Sequence, residues 1–514
     1  MSGKRRKLWV SFVAGTVVGA LALAAFAVPG VAQVMTDLGL APAASDPCSV
    51  TVHSENIGDN AIQTAINAFP GGTICVGAGT FPEQLTISES GTTLKGAGAT
   101  KTIIEPTAVA FNSVDWDSAP YSGGVTCGSS TCVPLAAIIL VVSSTPPPSA
   151  SPTTGVTIED LQVNGAAAST SVTCGDDYVG VDFQDSAGTL ASSQVLNVAS
   201  PPADFGCQEV SGAVYAYNGY FYADTAPASP VAVTVSGTTV AGYQKNGITC
   251  DDPEESCTLS SNTITGIGPT TANGQNGIQL AYGAFGTVEH NTVSGNSYSN
   301  ASVGGTSTND WYANGYTATG LLLYDPATGT SVSSNTVVLN QIGIAYVDDG
   351  NSALGYQGPE SITISHNTVK ESNAYGIVAD GAPGAGDTVT IGSNTVNNEV
   401  SLNPSVWGAP GILVDTGAFS ITNNVILGTS ASAGSSNGPS QSVCGPDGSS
   451  GGATGTPVLY CSSYGNLTTA AIQGASELGS NPTNMMLSGN VFTLDSNDLA
   501  TLGVLTGSVN VVWV

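Results

Sequence analysis

Positive charge is almost absent from this sequence. Eight lysine and arginine residues stand against 37 acidic ones, which gives a formal net charge of −29. Half of the eight lie between Lys4 and Lys7, and no arginine follows Arg6. A surface of this sign repels phosphate, so the composition excludes nucleic acid as a partner. It also lacks the guanidinium groups with which proteins usually hold carboxylates.

Catalytic signatures are equally scarce. The sequence has only three histidines, His53, His290 and His366, and their positions predict no shared site. It contains no Ser-His-Asp order and no phosphate-binding loop, and its repeated segments show no helical apolar periodicity. Charged residues make up 9% of the chain, so the polar surface consists mainly of Ser, Thr, Asn and Gly.

The N-terminus has the pattern of an export leader. Lys4 to Lys7 precede an apolar run from Leu8 to Val28, and Ala25-Phe26-Ala27 fits a small-x-small cleavage site. We therefore expect residues 1–27 to be a signal peptide, with an uncleaved membrane anchor as the alternative. Residues 28–45 form a linker in this interpretation. The protein is expected outside the cell or on its surface, and only an uncleaved leader would attach it to a membrane.

Two short patterns alternate along the rest of the chain. A glycine followed by an aliphatic residue recurs at Gly180, Gly247, Gly277, Gly320, Gly343, Gly376 and Gly411. Between them an asparagine precedes a β-prone run at Asn262, Asn291, Asn335, Asn367, Asn394 and Asn424. From Gly247 onward the glycines are 23 to 43 residues apart, which is typical of stacked repeats. The sequence therefore predicts an all-β fold, a β-solenoid.

The repeats predict one domain over residues 46–514, with loop insertions near 112–155, 297–316 and 428–480. The residues after the glycines should form an interior column: Val181, Ala213, Ile248, Ile278, Leu321, Ile344, Ile377 and Ile412. The asparagines suit turns because asparagine tolerates positive φ, and stacked at one corner they would form an amide ladder.

The N-terminal part carries the family resemblance. Asn60 to Ala68 predicts a short helix, capped by Asp59 or Asn60, that buries Ile62, Ala65, Ile66 and Phe69 and closes the first coil. With Gly71 to Val76, Gly79 to Glu83 and Thr93 to Gly96, this segment resembles the entry into pectin-lyase-like right-handed parallel β-helices. From about Ser236 to Gly428 the chain is similar to secreted β-helix repeat proteins. The resemblance implies fold rather than reaction, since the fold hosts lyases, hydrolases, esterases, epimerases and binding proteins.

Ten cysteines follow the leader, and an even count in an exported chain favours disulfides. The candidate pairs are Cys48 with Cys75, Cys127 with Cys132, Cys174 with Cys207, Cys250 with Cys257, and Cys444 with Cys461.

Acids and tyrosines gather a few residues after the repeated glycines. Stacked coils would bring them into a line along the axis, because parallel strands lie about 4.8 Å apart. We expect a glycan-binding row there, made of Tyr217, Tyr282, Tyr324, Tyr346, Asp325 and Asp380. The alternative is that aspartate follows these strands only because it favours turns.

The densest acidic segment lies between two cysteines. If Cys250 and Cys257 pair, Asp251, Asp252, Glu254 and Glu255 share a small loop, and such oxygen-rich clusters suit Ca²⁺. Calcium is the one cofactor that the sequence suggests, and a solvated turn is the alternative.

Catalysis is the rival to binding. Asp251 or Asp252 with Asp348 or Asp349 would supply the two carboxylates of a glycoside hydrolase. The polygalacturonase motifs are absent, and the resemblance implies that pectate lyases and methylesterases need an arginine that this chain lacks. A lysine-dependent lyase would have to use Lys245. We therefore expect a carbohydrate-binding or structural protein of the cell envelope, with a polysaccharide or envelope glycan as partner and a polysaccharide-degrading enzyme as the alternative.

Overall fold

The computed structural model describes much of the chain between Cys48 and Thr493. The described residues are 48–54, 60–115, 125–127, 130–143, 152–173, 176–202, 204–205, 211–217, 230–270, 272–298, 318–348, 360–381, 386–397, 400–401, 411–414, 418–427, 430–431, 462–464, 467–469, 472–474 and 484–493.

Three long sheets run side by side along the molecule, and the chain visits them in turn, one strand per sheet and coil. Neighbouring strands along each sheet are parallel. The first sheet contains β1 (Val50–Val52), β2 (Thr73–Val76), β5 (Thr93–Gly96), β10 (Thr153–Glu159), β13 (Ser186–Ala191), β16 (Val231–Ser236), β19 (Glu255–Ser260), β22 (Phe285–Glu289), β25 (Ser331–Ser333), β28 (Ser361–Ser365), β31 (Thr388–Gly392), β35 (Ala418–Thr422) and β41 (Asn484–Ser488).

The second sheet contains β3 (Gly79–Phe81), β6 (Thr102–Ile104), β11 (Gln162–Asn164), β14 (Gln194–Leu196), β17 (Thr239–Ala241), β20 (Thr263–Thr270), β23 (Thr292–Tyr298), β26 (Thr336–Val338), β29 (Thr368–Lys370), β32 (Thr395–Asn397), β36 (Val425–Leu427) and β42 (Val491–Thr493).

The third sheet contains β4 (Leu85–Ile87), β9 (Ser130–Val142), β12 (Asp177–Gln184), β15 (Gly212–Tyr217), β18 (Asn246–Asp251), β21 (Asn276–Ala281), β24 (Thr319–Tyr324), β27 (Ile342–Val347), β30 (Tyr375–Asp380), β34 (Ile412–Val414) and β40 (Ile472–Gly474). Strands β7 (Ser113–Asp115) and β8 (Val125–Cys127) pair antiparallel with β9. Two small pairs complete the strands: β33 (Val400–Ser401) with β37 (Ser430–Ala431), and β38 (Ser462–Tyr464) with β39 (Leu467–Thr469). A 3-10 turn spans Ser169–Ser171.

The predicted N-terminal helix is present as α1 (Ala61–Ala68), but Asn60 is not the cap that the prediction allowed, and Asp59, the other candidate, lies outside the described residues. Asn60 has a left-handed backbone and makes no side-chain cap bond. The carboxylate of Glu83 instead accepts the backbone N–H groups of Ile62 and Gln63 at 3.0 Å. The helix buries Ile62, Ala65 and Ile66 as predicted, and Phe69 packs partly buried against the core.

The predicted interior column exists with one correction. The strand register aligns Val181, Val214, Ile248, Ile278, Leu321, Ile344, Ile377 and Ile412. Val214 takes the place predicted for Ala213, because Gly212 is in register with Val179 and Asn246, the residues before the repeated glycines, and Ala213 occupies the glycine position itself. The glycines before this column have a steric reason. A Cβ on Gly320 would lie 2.7 Å from the carbonyl oxygen of Gly343 in the next coil.

The predicted asparagine ladder is confirmed at the corner between the first and second sheets. Each amide donates to the side-chain oxygen of the next asparagine at 2.9–3.0 Å, from Asn262 through Asn424 and on to Asn490. The positive φ belongs to the residue before each asparagine, such as Ser334 at 57° and His366 at 57°. His290 and His366 therefore serve this turn, two coils apart.

Two predicted disulfides are present. Cys48 is bonded to Cys75 and Cys250 to Cys257, with Cα atoms 5.6 and 6.5 Å apart. For Cys127 and Cys132 the structure describes only the backbone, in β8 and β9. Cys174, Cys207, Cys444 and Cys461 lie outside the described residues.

The described residues cover only part of the predicted domain layout. The leader and linker lie outside them, as does most of the predicted insertion at 297–316. The predicted insertion near 112–155 includes β9, a strand of the third sheet, and the one near 428–480 includes β40. In the described part of the chain, no helix has the length and apolar character needed to cross a bilayer.

Candidate functional site

Most of the buried acids lie at the corner where the chain turns from the third sheet into the first. We call it the acidic corner and define it by the last residues of third-sheet strands, the first residues of first-sheet strands and the turns between them. Its buried carboxylates are Asp185, Asp251, Asp252, Glu255, Asp325, Asp348, Glu360, Asp380 and Asp387. The repeat predicts this placement, because each coil turns here after the same strand.

The last residues of the third-sheet strands lie in register and form a row on the outer face, the outer row. Its members are Gln184, Tyr217, Asp251, Ala281, Tyr324, Val347 and Asp380. The row therefore brings together three predicted glycan-binding residues, Tyr217, Tyr324 and Asp380. Tyr217, Asp251 and Asp380 are buried, whereas Tyr324 is half-buried.

The tyrosines near this row divide into two environments. Tyr282 and Tyr324, on neighbouring coils, are half-buried, and their rings meet edge to face with centroids 5.3 Å apart. Tyr346 has no exposed surface and belongs to the interior core, in alternation with Ile344. The prediction of Tyr346 in a surface row is corrected here, because its position in β27 has inward parity.

On the inner side of the corner, three carboxylates converge. Oxygen atoms of Asp325, Asp348 and Glu360 all lie within 4.8 Å of one another, and all three residues are buried. Among the residues that the structure describes, this is the one group of three or more metal-ligating side chains so close together. We call it the carboxylate cluster. Asp325 and Asp348 lie on neighbouring coils. The N–H of Asp325 donates to the carbonyl of Val347, the residue before Asp348, at 2.7 Å.

The electrostatics of the carboxylate cluster favour a neutral Glu360. Burial, together with the charges of Asp348, Asp387 and Asp325, raises the pKa of Glu360 to about 10, although the Tyr346 hydroxyl beside it acts to lower it. Burial, followed by the charges of Glu360, Asp387 and Asp348, likewise raises the pKa of the Tyr346 hydroxyl. Negative charge is therefore in excess at this point of the interior.

The predicted calcium loop is organised differently from the carboxylate cluster. Asp251, Asp252 and Glu255 are buried, while Glu254 is exposed. These four side chains do not include a triad as close as the carboxylate cluster within the described chain. Burial, and next the charge of Asp185, raises the pKa of Glu255 well above its ordinary value. The disulfide between Cys250 and Cys257 is itself part of the interior core.

The predicted catalytic combinations are too widely spaced. Asp251 is in register with Ala281, Tyr324 and Val347, so Asp348 lies three coils away, about 14 Å at the usual strand spacing. Paired glycosidase carboxylates are about 5 to 10 Å apart. Lys245 lies at the opposite end of β18 from Asp251, a separation of about 20 Å. Asp349 lies outside the described residues.

Sequence reasoning missed Glu360 and Asp387, although a signal for them exists. Glu255, Glu360 and Asp387 each stand seven residues before a ladder asparagine, Asn262, Asn367 and Asn394 respectively. That spacing spans one first-sheet strand. The residue seven positions before a ladder asparagine therefore lies at the acidic corner, at the other end of the strand.

Comparisons with known proteins agree with the fold. A family model described as "Right handed beta helix region" matches residues 228–426. Among solved structures, the A-module of mannuronan C-5 epimerase AlgE6 from Azotobacter vinelandii is 13% identical, covering 90% of this chain and 99% of that one with a TM-score of 0.44. The tailspike of E. coli bacteriophage HK620, in complex with a pentasaccharide, is 12% identical over 85% of this chain and 63% of that one, with a TM-score of 0.48.

A third similar structure is the Family 28 exopolygalacturonase of Yersinia enterocolitica. It is 12% identical, and the match covers 89% of this chain and 77% of that one with a TM-score of 0.37. A comparison with curated protein sequences finds no significant match. Together, the three parallel sheets and the family match define a right-handed parallel β-helix protein.

Proposed function

We propose that this protein binds extended, neutral glycans along the outer row. The observation that carries the proposal is the pair Tyr282 and Tyr324, which offers two partly exposed aromatic rings on neighbouring coils. Sugar rings stack on such faces, and a repeat of about 4.8 Å per coil lets one chain contact several rungs. Asp380 lies in register two coils beyond Tyr324 but is buried, so the two half-buried tyrosines supply the contact surface.

The preference for neutral glycans follows from charge. The sequence has four lysines and no arginine after Lys7, and its net charge is −29. Uronate-rich polymers would be repelled by this surface, whereas neutral sugars pay no such electrostatic cost. The two disulfides in the described chain support an oxidising compartment, so the same proposal places the protein outside the cell or on its surface.

The test is binding of the full chain to a panel of neutral and uronate-containing polysaccharides. Tyr324→Ala and Tyr282→Ala should each weaken binding to neutral members by about tenfold or more, the loss expected for a central aromatic anchor. Tyr324→Phe keeps the ring and should bind within about twofold of wild type. Thr287→Ala, an exposed position on the first sheet, is the matched control.

Two results would reject the proposal. One is the absence of binding to every member of the panel, which would leave a structural protein. The other is unchanged binding by both alanine variants, which would move the binding surface away from this pair. Release of reducing ends during the same assay would replace binding alone with polysaccharide degradation.

A further inference from the structure

The carboxylate cluster places three acids together in a chain that has very little positive charge. Asp325, Asp348 and Glu360 are each at most 7% exposed, and Asp387 beside them is fully buried. Four lysines and no arginine follow Lys7, and Lys95 pairs with Glu159 and Asp160 in an N-terminal coil. Buried carboxylates this close together repel one another, so bound protons or a cation would stabilise the group.

One carboxylate oxygen of the cluster has no hydrogen bond. Among the described residues, Oε2 of Glu360 has no donor in hydrogen-bond geometry. Glu360 is 2% exposed, so bulk water does not satisfy this atom. A buried oxygen without a donor is open to a bound proton or to a cation, and a cation would also offset the charges of Asp325 and Asp348.

The spacing of the oxygen atoms suits one ion. Oxygen ligands lie about 2.3 to 2.6 Å from Ca²⁺, so two ligands of one ion are at most about 5 Å apart. The three carboxylates lie within 4.8 Å of one another, inside that limit. Mg²⁺ demands a smaller octahedron and retains its waters, which makes it a poorer match for a buried set of carboxylates.

We propose that Asp325, Asp348 and Glu360 bind a Ca²⁺ ion inside the β-helix, where it links consecutive coils. Asp325 follows β24, Asp348 follows β27 and Glu360 precedes β28, so the ion would connect two rungs and the turn between two sheets. Such a site stabilises the folded state as a disulfide does elsewhere in this chain. It is independent of glycan binding, because the cluster lies on the inner side of the corner.

Calcium stoichiometry on the full chain tests this proposal. Protein stripped with a chelator and then desalted is dialysed against Ca²⁺, and bound calcium is measured by atomic emission. Wild type should bind about one ion more per chain than Glu360→Gln, because that variant removes one charged ligand. Ca²⁺ should also raise the thermal midpoint of wild type but not of Glu360→Gln, whereas Mg²⁺ should have little effect.

Controls make the result specific. Asp251→Asn removes one charge from the other acidic segment and should keep both the extra ion and the thermal shift. Asp348→Asn serves as a second ligand variant if Glu360→Gln does not fold, as judged by circular dichroism. The proposal fails if wild type binds no calcium, or if Glu360→Gln and Asp348→Asn bind as much as wild type. Calcium lost only in Asp251→Asn would place the ion in the Cys250–Cys257 loop instead.

Discussion

The backbone N–H of Glu360 donates to the carboxylate of Asp387, one coil further on, at 3.1 Å. Thr388 in turn donates its N–H to the carbonyl of Glu360 at 2.8 Å. These bonds fix the position of Glu360 at the start of β28 and hold a second acid beside it. The acidic corner is therefore built by the sheet ladder itself, which gives the buried carboxylates little freedom to separate.

We expect the stability of the calcium-free protein to fall as the pH rises. In the folded state Glu360 has a pKa of about 10 and keeps its proton up to that pH. An unfolded glutamate loses its proton at about pH 4.3. Between these values folding takes up a proton, so the free energy of unfolding decreases by at most about 1.4 kcal/mol per pH unit. Urea unfolding in chelator at several pH values measures this slope.

Glu360→Gln should flatten that slope, because glutamine does not titrate. Glu255 contributes a slope of the same sign, since its pKa is also raised, and the variant leaves this part in place. Equal slopes in wild type and Glu360→Gln would show that Glu360 does not carry a proton into the folded state.

Asn335→Ala should destabilise the protein by about 2 to 4 kcal/mol. Its amide donates to Asn367 at 3.0 Å and to the carbonyl of Val288 at 2.8 Å, and its oxygen accepts from Asn291. Removal takes one hydrogen bond from each of these buried groups, and the backbone N–H of Asn291 loses its acceptor, the side-chain oxygen of Asn335. Thr336→Ala, at the exposed neighbouring position, should cost less than about 1 kcal/mol. Equal losses in a urea titration of the two variants would contradict the ladder's role.

Gly320→Ala should cost about 1 to 3 kcal/mol through overpacking. Its Cβ would lie 2.6 Å from Cγ1 of Val337 as well as 2.7 Å from the carbonyl oxygen of Gly343. Gly392→Ala is the control, because a Cβ there meets Thr422 Oγ1 at an ordinary 3.4 Å. Its stability should stay within about 1 kcal/mol of wild type. If thermal unfolding shows that Gly320→Ala is as stable as wild type, the close approach is not limiting.

Glu83→Gln should weaken the N-terminal cap by about 1 to 2 kcal/mol, because the charged acceptor at the start of α1 is lost. Asn60→Gly should change stability by only a few tenths, since Asn60 makes no side-chain cap bond and glycine accepts its φ of 70°. Hydrogen exchange of the α1 amides distinguishes the two. Faster exchange in Asn60→Gly than in Glu83→Gln would restore the cap predicted from sequence.

The fold was predictable because the same few residue types occupy equivalent structural positions in successive coils. Ile248, Ile278 and Ile344 fill one interior column, and Asn335 and Asn367 satisfy one corner, so the pattern recurs at a visible spacing. Ala213 was assigned wrongly because alanine stands at the repeated glycine position in β15, and Gly212, one residue earlier, resembles that glycine in the sequence.

The candidate site was less predictable, because it depends on side-chain direction and on distance between coils. Tyr346 and Tyr324 are the third and fourth residues after their glycines, yet Tyr346 lies in the core and Tyr324 is half-buried in the outer row. Asp251 and Lys245 are six residues apart in sequence, and the length of β18 separates them.

By itself, the sequence determined that this chain forms stacked parallel coils, with glycine and asparagine at fixed places and a surface almost without positive charge, and it gave the disulfides only as candidate pairs. Only the tertiary structure decided which acids meet. The convergence of Asp325, Asp348 and Glu360 arises because neighbouring coils and two different sheets approach at one corner. Local periodicity predicts which side chains of a strand point inward, but the distance between acids on either side of a turn depends on how the coils stack.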